Sequence, residues 1–254
     1  MAIFGKQGQT SLNRQLVDAA RAGDHEGVRT ALDRGADIHA ENDYALRLAA
    51  ENGDIERVTT LLDRGADIHI KHDDALRMAA ADGYIEIVTL LLDRGANIHA
   101  EDDHALRLAA QNGHTEIVTL LLDRGANIHA ENDYALRMAV ANGHTETVAL
   151  LLDRGADIHA ENDHARRLAV ANDRIGTMAL LMERGAKAKI NDMLLCAYDD
   201  LGARALLRAH DDLERLALQS HNRPAVYAAA AIAAACSLID EDNAEYGYGT
   251  GQDD

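Results

Sequence analysis

The stretch "DRGADIHAENDYALRLAAENG", from Asp33 to Gly53, decides the fold because the chain repeats it. The copy "DRGANIHAENDYALRMAVANG", from Asp123 to Gly143, is nearly identical. An Arg-Gly-Ala triplet recurs every 30 residues, and its glycines are Gly35, Gly65, Gly95, Gly125, Gly155 and Gly185. A fixed period of this length indicates an array of short stacked units rather than one globular core.

The amino-acid sequence of each unit predicts two short helices. In residues 131–160, Asp133 is a suitable N-cap for "YALRMAVAN", whose apolar residues are spaced three and four apart. Gly143 and Gly155 tolerate the left-handed backbone that ends a helix. Helices this short are not stable alone in water. Neighbouring units are therefore expected to cover each other's apolar faces.

The repeated pattern "ALRLAAxNGHxExVxLLLxxGADI" resembles ankyrin repeats from roughly Leu12 to Ile190, about three quarters of the chain. Units of that family usually have ~33 residues and a Thr-Pro-Leu-His start. Here the unit has 30 residues, and the missing ones fall where the family has its β-hairpin. The resemblance therefore implies an all-α, ankyrin-type helical-repeat solenoid with short or absent β-hairpins. Such short repeats are similar to those of large viruses and some bacteria.

The repeat phase divides the chain into four kinds of segment. An N-terminal tail precedes six repeats, degenerate repeats then form a helical C-terminal cap, and an acidic disordered tail follows. The boundaries are 1–11 for the first tail, 12–40, 41–70, 71–100, 101–130, 131–160 and 161–190 for the repeats, 191–239 for the cap and 240–254 for the last tail. A small separate helical domain is the alternative for the cap.

The net charge of −18 disfavours nucleic acid and anionic membranes as direct partners, because both would repel the chain. It fits a partner with a basic or mixed surface, or imitation of a polyanion. The two cysteines form no spaced cluster, and neither an export signal nor an apolar run of ~20 residues is visible. We expect a cytoplasmic monomer, acting in a host cell if the chain is viral or an effector.

The 13 histidines invite a metal hypothesis, but the repeat places most of them, and one position of the unit is occupied by His39, His69, His99, His129 and His159. Since the family usually has Asn there, the resemblance implies that the imidazole bonds the connector backbone instead. Adjacent repeats, ~8–10 Å apart, hold two such side chains too far apart to share a zinc ion. No Ser or Cys has a local base partner. The sequence therefore predicts no catalysis, no metal and no cofactor.

The charged residues that recur at fixed positions of the unit suggest structural ion pairs. Asp43 and Arg47 lie at i and i+4, a spacing at which an ion pair supports a helix. Arg64 and its copies follow the second helix, where cations are favoured. We expect these to be solvated structural faces.

The positions that differ between copies are the candidates for binding. The resemblance carries the fourth and eleventh positions of the unit to the concave face, where partners of ankyrin arrays generally dock. The predicted partner-binding residues are Tyr44, Asp74, His104, Tyr134, His164, Glu51, Gln111 and Tyr84. Drift on an unconstrained surface is the alternative explanation of the same variation.

These features predict a non-catalytic protein-protein interaction module or scaffold that binds another protein on its concave helix face, without contacting nucleic acid directly. One alternative is an acidic inhibitor that imitates nucleic acid in a partner's cleft. An antitoxin or immunity-type inhibitor and a purely structural spacer also stay open.

Overall fold

The computed structural model describes residues 2–184, with the side chains of 2–7 and 183 left aside. The described residues belong to two compact units, and the division lies between Glu131 and Asn132.

The described residues are helical apart from short turns, and none of them lies in a β-strand. The first unit contains α1 (Ala2–Ala22), α2 (His25–Asp33), α3 (Ala40–Glu51), α4 (Ile55–Asp63), α5 (Ile70–Asp82), α6 (Ile85–Asp93), α7 (Ala100–Asn112) and α8 (Thr115–Asp123). The second contains most of α9 (Ala130–Asn142), then α10 (Thr145–Asp153), α11 (Ala160–Ala171) and α12 (Ile175–Glu183). The all-α helical-repeat prediction is thus confirmed for this part of the chain.

Helix α1 extends beyond the repeat. It begins at Ala2, so it includes most of the segment 1–11 that the sequence set apart as a tail. The predicted cap 191–239 and the tail 240–254 lie outside the described residues.

The core of the first unit is made by small and branched residues at fixed places in each repeat. In the second repeat Ala45, Leu46 and Ala49 of α3 and Val58 and Leu61 of α4 are at most 2% exposed. Helices α1, α3, α5 and α7 pack successively on one another, and α4, α6 and α8 pack in the same order. Burying each Leu or Val is worth roughly 1.5–3 kcal/mol, and the small Ala residues allow close helix contact.

The second unit repeats this arrangement with one change. Leu136 of α9 is fully buried, whereas its counterpart in α11 is Arg166, which is 7% exposed and 3.6 Å from Asp163. Between residues 2 and 184, no helix is long and apolar enough to pass through a membrane.

Candidate interaction surface

Three consecutive left-handed residues replace the hairpin that longer repeats carry. Glu41, Asn42 and Asp43 have φ values of 53°, 59° and 49°, and the corresponding residues of the next four repeats do the same. A left-handed conformation costs an ordinary residue roughly 1–2 kcal/mol, less for Asn and Asp. Contacts to the side chains around this turn must therefore hold it in place.

The third turn residue supplies the first of these contacts. Asp43 is 1% exposed, and its Oδ1 accepts a hydrogen bond from the backbone N–H of Asp67, in the connector at the end of the same repeat, 2.8 Å away. The same bond joins Asp73 to the N–H of Asn97, Asp103 to that of Asn127 and Asp133 to that of Asp157. In the first repeat Asn13 accepts from the N–H of Asp37 at 2.8 Å. This carboxylate thus ties the turn at the start of a repeat to the connector at its end, which differs from the helix N-cap predicted at Asp133.

The histidine column is structural, but its partner differs from the prediction. Nδ1 of His39 lies 3.1 Å from both carboxylate oxygens of Asp43, so the ring bonds a side chain rather than the connector backbone. The same pair forms between His69 and Asp73, His99 and Asp103, and His159 and Asp163. Within residues 2–184, no group of three or more His, Cys, Asp or Glu side chains could hold a metal ion.

The arginine at the seventh position holds the turn from its other side. Nη2 of Arg77 donates to the carbonyl of Lys71 at 3.0 Å, and Nη2 of Arg107 donates to that of Glu101 at 2.7 Å. The predicted ion pair between Asp43 and Arg47 is wrong. Asp43 points toward the connector at the end of its own repeat, and Nη1 of Arg47 instead donates to Asp74 of the next repeat at 2.9 Å.

The variable fourth position lies between these arginines. The Tyr44 ring has the guanidinium of Arg21 5.0 Å from its centroid and that of Arg47 5.6 Å away, and its hydroxyl accepts from Nε of Arg21 at 3.4 Å. Asp74 accepts at 2.9 Å from both Arg47 and Arg77, and its side chain is 15% exposed. Cation and acceptor therefore alternate along the first-helix face, which we define as the fourth and seventh positions of successive first helices.

His104 continues the row and has a fixed tautomer. Its Nδ1 lies 3.3 Å from Nη1 of Arg77. Because a guanidinium only donates, Nδ1 must accept, and the ring proton is on Nε2. Burial first, then the charges of Arg107 and Arg77, lower the pKa of His104 despite the opposing effect of Glu101.

The second unit shows the same pairing. The guanidinium of Arg137 lies 5.3 Å from the ring centroid of Tyr134, and its Nη1 lies 3.1 Å from Nδ1 of His164. Burial, followed by Arg137 and Arg167, lowers the pKa of His164, while Glu161 opposes the shift. The structure thus places all five fourth-position residues in equivalent environments within their own units.

The remaining predicted residues occupy different places. Glu51 is exposed and Gln111 half-buried, both near the ends of first helices. Tyr84 begins α6, past the far end of the helix that carries Asp74, and lies over Gly53 of the preceding repeat. A Cβ on Gly53 would lie 2.4 Å from the Tyr84 ring, so this tyrosine fills an inter-repeat contact away from the first-helix face.

A charged cluster between the first two repeats was missed by sequence reasoning. Arg57 is 4% exposed, and its guanidinium donates to the Ala20 carbonyl at 2.7 Å and to the Asp54 carboxylate. His25 lies 2.7 Å from the same carboxylate. Burial alone would raise the pKa of Asp54, but hydrogen bonds and charge from Arg57, together with His25, hold it below its usual value. The available signal was Arg57, a charged residue at a position where the other copies have Gly, Ile or Thr, three residues after Asp54.

The arginines after the second helices also connect neighbours. Arg64 contacts Asp33 at 2.7 Å, Arg94 contacts Asp63 at 2.8 Å and Arg124 contacts Asp93 at 2.9 Å. These pairs are exposed and contribute little stability, about 0–1 kcal/mol each. They do neutralise several surface carboxylates.

Comparison with known proteins agrees with the geometry. The family model described as ankyrin repeats (3 copies) matches residues 16–102 and 106–192, together more than half of the chain. The search of curated proteins found no match.

Proposed function

Since the chain belongs to the ankyrin repeat family, whose members generally act as non-catalytic protein-protein interaction modules, we propose that it binds a partner protein on its first-helix face. This proposal is supported by the contrast between the variable fourth position and the constant residues that surround it. The turn carboxylates and seventh-position arginines recur, whereas the residue they surround is Tyr, Asp or His. A constant frame that presents a changing side chain suits recognition.

The frame also limits the entropy that binding would cost. Tyr44 is held between two guanidiniums, and Asp74 and His104 are held by arginine donors. Side chains that are already ordered lose little freedom when a partner docks. Tyr is enriched in interface cores, so Tyr44 and Tyr134 are the principal anchors of this proposal. Asp74, His104, His164, Glu51 and Gln111 would complete the surface, whereas Tyr84, which packs on Gly53, would contact a partner only outside it.

The charges favour a partner of mixed surface with basic side chains opposite the turns. Glu41, Glu101, Asp102 and Glu161 at the turns are exposed carboxylates, interrupted by Lys71. The seventh-position arginines lie next to them and bind their carbonyls. Association through such charges would weaken as salt is added.

Imitation of nucleic acid is the second candidate, and the pairing of carboxylates argues against it. Asp43, Asp73, Asp103 and Asp133 are buried, and others are paired with arginine on the surface. These carboxylates cannot present the regular negative charge of a duplex. If duplex DNA competed with this chain for a captured partner, imitation would replace the present proposal.

The test is capture of partners by the full chain in its native cell, compared with two variants. In the first, Tyr44, His104, Tyr134 and His164 are all changed to Ala. In the control, Thr59, Thr89 and Thr119 of the second helices are changed to Ala. We expect the first variant to lose the partner that the wild type and the control retain, with helix content unchanged in all three. Capture of the same partner by all three proteins would exclude the first-helix face.

We also propose that the chain works as a monomer in the cytoplasm. The sequence has only two cysteines, Cys196 and Cys236, without the spacing of a disulfide framework, which suits a reducing compartment. Neutralising a toxin and capturing a host factor are both compatible with this mode of binding.

A further inference from the structure

A cavity of about 430 Å³ lies at the N-terminal end of the first-helix face. Its walls are α1, through Thr10, Asn13, Arg14, Val17, Asp18 and Arg21, and the start of the next turn, Ala40 and Glu41. The volume falls within the range of about 300–1,000 Å³ that is usual for ligand sites.

The first repeat differs here from the later ones. Its seventh position is Val17, where the later repeats have Arg47, Arg77 and Arg107. In those repeats the long side chain extends along the face to a neighbouring acceptor or turn carbonyl. Val17 is too short to do so, and we attribute the open space beside it to this substitution.

The polar groups of the cavity are already paired, with one exception. Arg21 contacts Asp18 at 3.7 Å, Glu41 at 3.6 Å and the Tyr44 hydroxyl, so both carboxylates have a cation nearby. Oδ1 of Asn13 accepts from Gln9 at 2.9 Å and from the N–H of Asp37. Arg14 is exposed and makes no hydrogen bond or ion pair with any described residue.

These ion pairs and hydrogen bonds determine which chemical group of a ligand fits the cavity. One unpaired guanidinium next to the apolar Val17 and Ala40 suits a singly charged carboxylate on a short aliphatic stem, which it can bind through two N–H donors. A phosphate carries more charge and would face Asp18 and Glu41 at close range. We propose that this cavity is a carboxylate site in which Arg14 binds an Asp or Glu side chain of the partner protein.

That the carboxylate belongs to a partner protein rests on the proposed function, whereas recognition of a carboxylate by Arg14 does not. The probe is N-acetylglutamate α-amide, with N-acetylglutamine α-amide as the neutral control. Both are titrated into the full chain while the Arg14 side-chain N–H and Val17 methyl signals are followed by nuclear magnetic resonance. We expect saturable shifts with the glutamate compound only, with a Kd on the order of millimolar for so small a ligand.

Variants at Arg14 supply the decisive comparison. Arg14→Gln should weaken binding about tenfold, because a charge-assisted hydrogen bond is lost. Arg14→Lys should retain part of the affinity, since it keeps the charge but not the paired donors. The control is Arg29→Gln, which removes an exposed arginine of α2 and should change nothing. Equal responses in wild type and Arg14→Gln, or no saturable shift at all, would overturn the site.

Two further ligands test which chemical group the cavity binds and which molecule supplies it. Tighter binding of inorganic phosphate than of the glutamate compound would overturn the choice of a carboxylate. Tighter binding of a synthetic peptide of residues 240–254 would make the chain's own acidic segment the occupant instead of a partner. If a captured partner binds Arg14→Gln as well as wild type, this inference fails while the proposed function stands. If no partner depends on the first-helix face, the proposed function fails and the titration still decides the carboxylate site.

Discussion

Oδ1 of Asp43 lies 2.8 Å from the backbone nitrogen of Asp67, so a buried carboxylate at the start of a repeat binds the connector at its end. The donor follows Asp43 by 24 residues, and the same separation recurs in the next three repeats. Each bond holds a left-handed turn and also fixes the connector that follows the second helix. The turn and the connector of a repeat therefore depend on the same side chain.

Asp43→Ala should destabilise the chain by about 1–3 kcal/mol, because the Asp67 N–H and the His39 ring both lose the buried carboxylate that accepts from them. Asp43→Asn should cost less, since Asn13 makes the equivalent bond in the first repeat. Urea unfolding followed by circular dichroism measures both. Glu51→Ala, at an exposed helix end, is the control and should change stability little. Equal losses for Ala and Asn would show that charge, rather than the acceptor oxygen, is what matters.

Substitutions at two glycines distinguish the free-energy cost of backbone strain from that of steric contact. Gly65 has φ +93° and open space within 4 Å of the place that a Cβ would occupy, whereas Gly53 has φ +74° and the Tyr84 ring at 2.4 Å from that place. Gly65→Ala should cost roughly 1–2 kcal/mol, the strain of the left-handed region alone. Gly53→Ala should cost more, because the ring must also move.

The same two glycine substitutions are then made in a chain that also carries Tyr84→Ala. There the excess cost of Gly53→Ala over Gly65→Ala should disappear in the same unfolding measurement. An excess that persists without the ring would mean that the contact is not its cause.

The cluster of Asp54 and Arg57 should behave as one unit. Arg57→Ile alone leaves the Asp54 carboxylate largely buried without its guanidinium partner, and a loss of about 3 kcal/mol is expected. The double variant Asp54→Tyr with Arg57→Ile copies the residues of the next repeat, Tyr84 and Ile87, and should cost less than Arg57→Ile. A double-mutant cycle from chemical denaturation measures the coupling. Additive effects would show that the two residues act independently.

His104 should make the array less stable in acid. Its pKa is lowered in the folded chain, so the folded state binds its proton less readily than the unfolded state does. The contribution is therefore fully present above the unfolded pKa of about 6.5 and is lost as the pH falls through the lower folded pKa. Protonation would also place a third cation between Arg77 and Arg107.

The measurement is the melting temperature at pH 7.5 and pH 5. The matched variant is His104→Tyr, which installs the residue found at Tyr44 and Tyr134 and cannot gain a proton in this range. Wild type should lose more stability between the two pH values than the variant. An equal loss would mean that other groups account for the acid sensitivity.

The sequence by itself determined the repeat, the helix pairs and the absence of strands between residues 2 and 184. The 30-residue period, the small apolar residues at helical spacing and the glycines suffice for this, because each depends on local chain geometry. It also predicted a structural histidine column. Helix type follows from neighbours in the chain, so a single copy of the unit carries most of this information.

Only the tertiary structure decided the partners of the polar side chains. Asp43 binds the backbone of Asp67 rather than Arg47, Arg47 donates to Asp74, and Val17 lines a cavity that the sequence alone does not show. The physical reason is that three left-handed residues turn Asp43 inward, so the i and i+4 spacing of an ordinary helix does not apply there. Contacts between residues 24 to 37 apart depend on how the repeats stack.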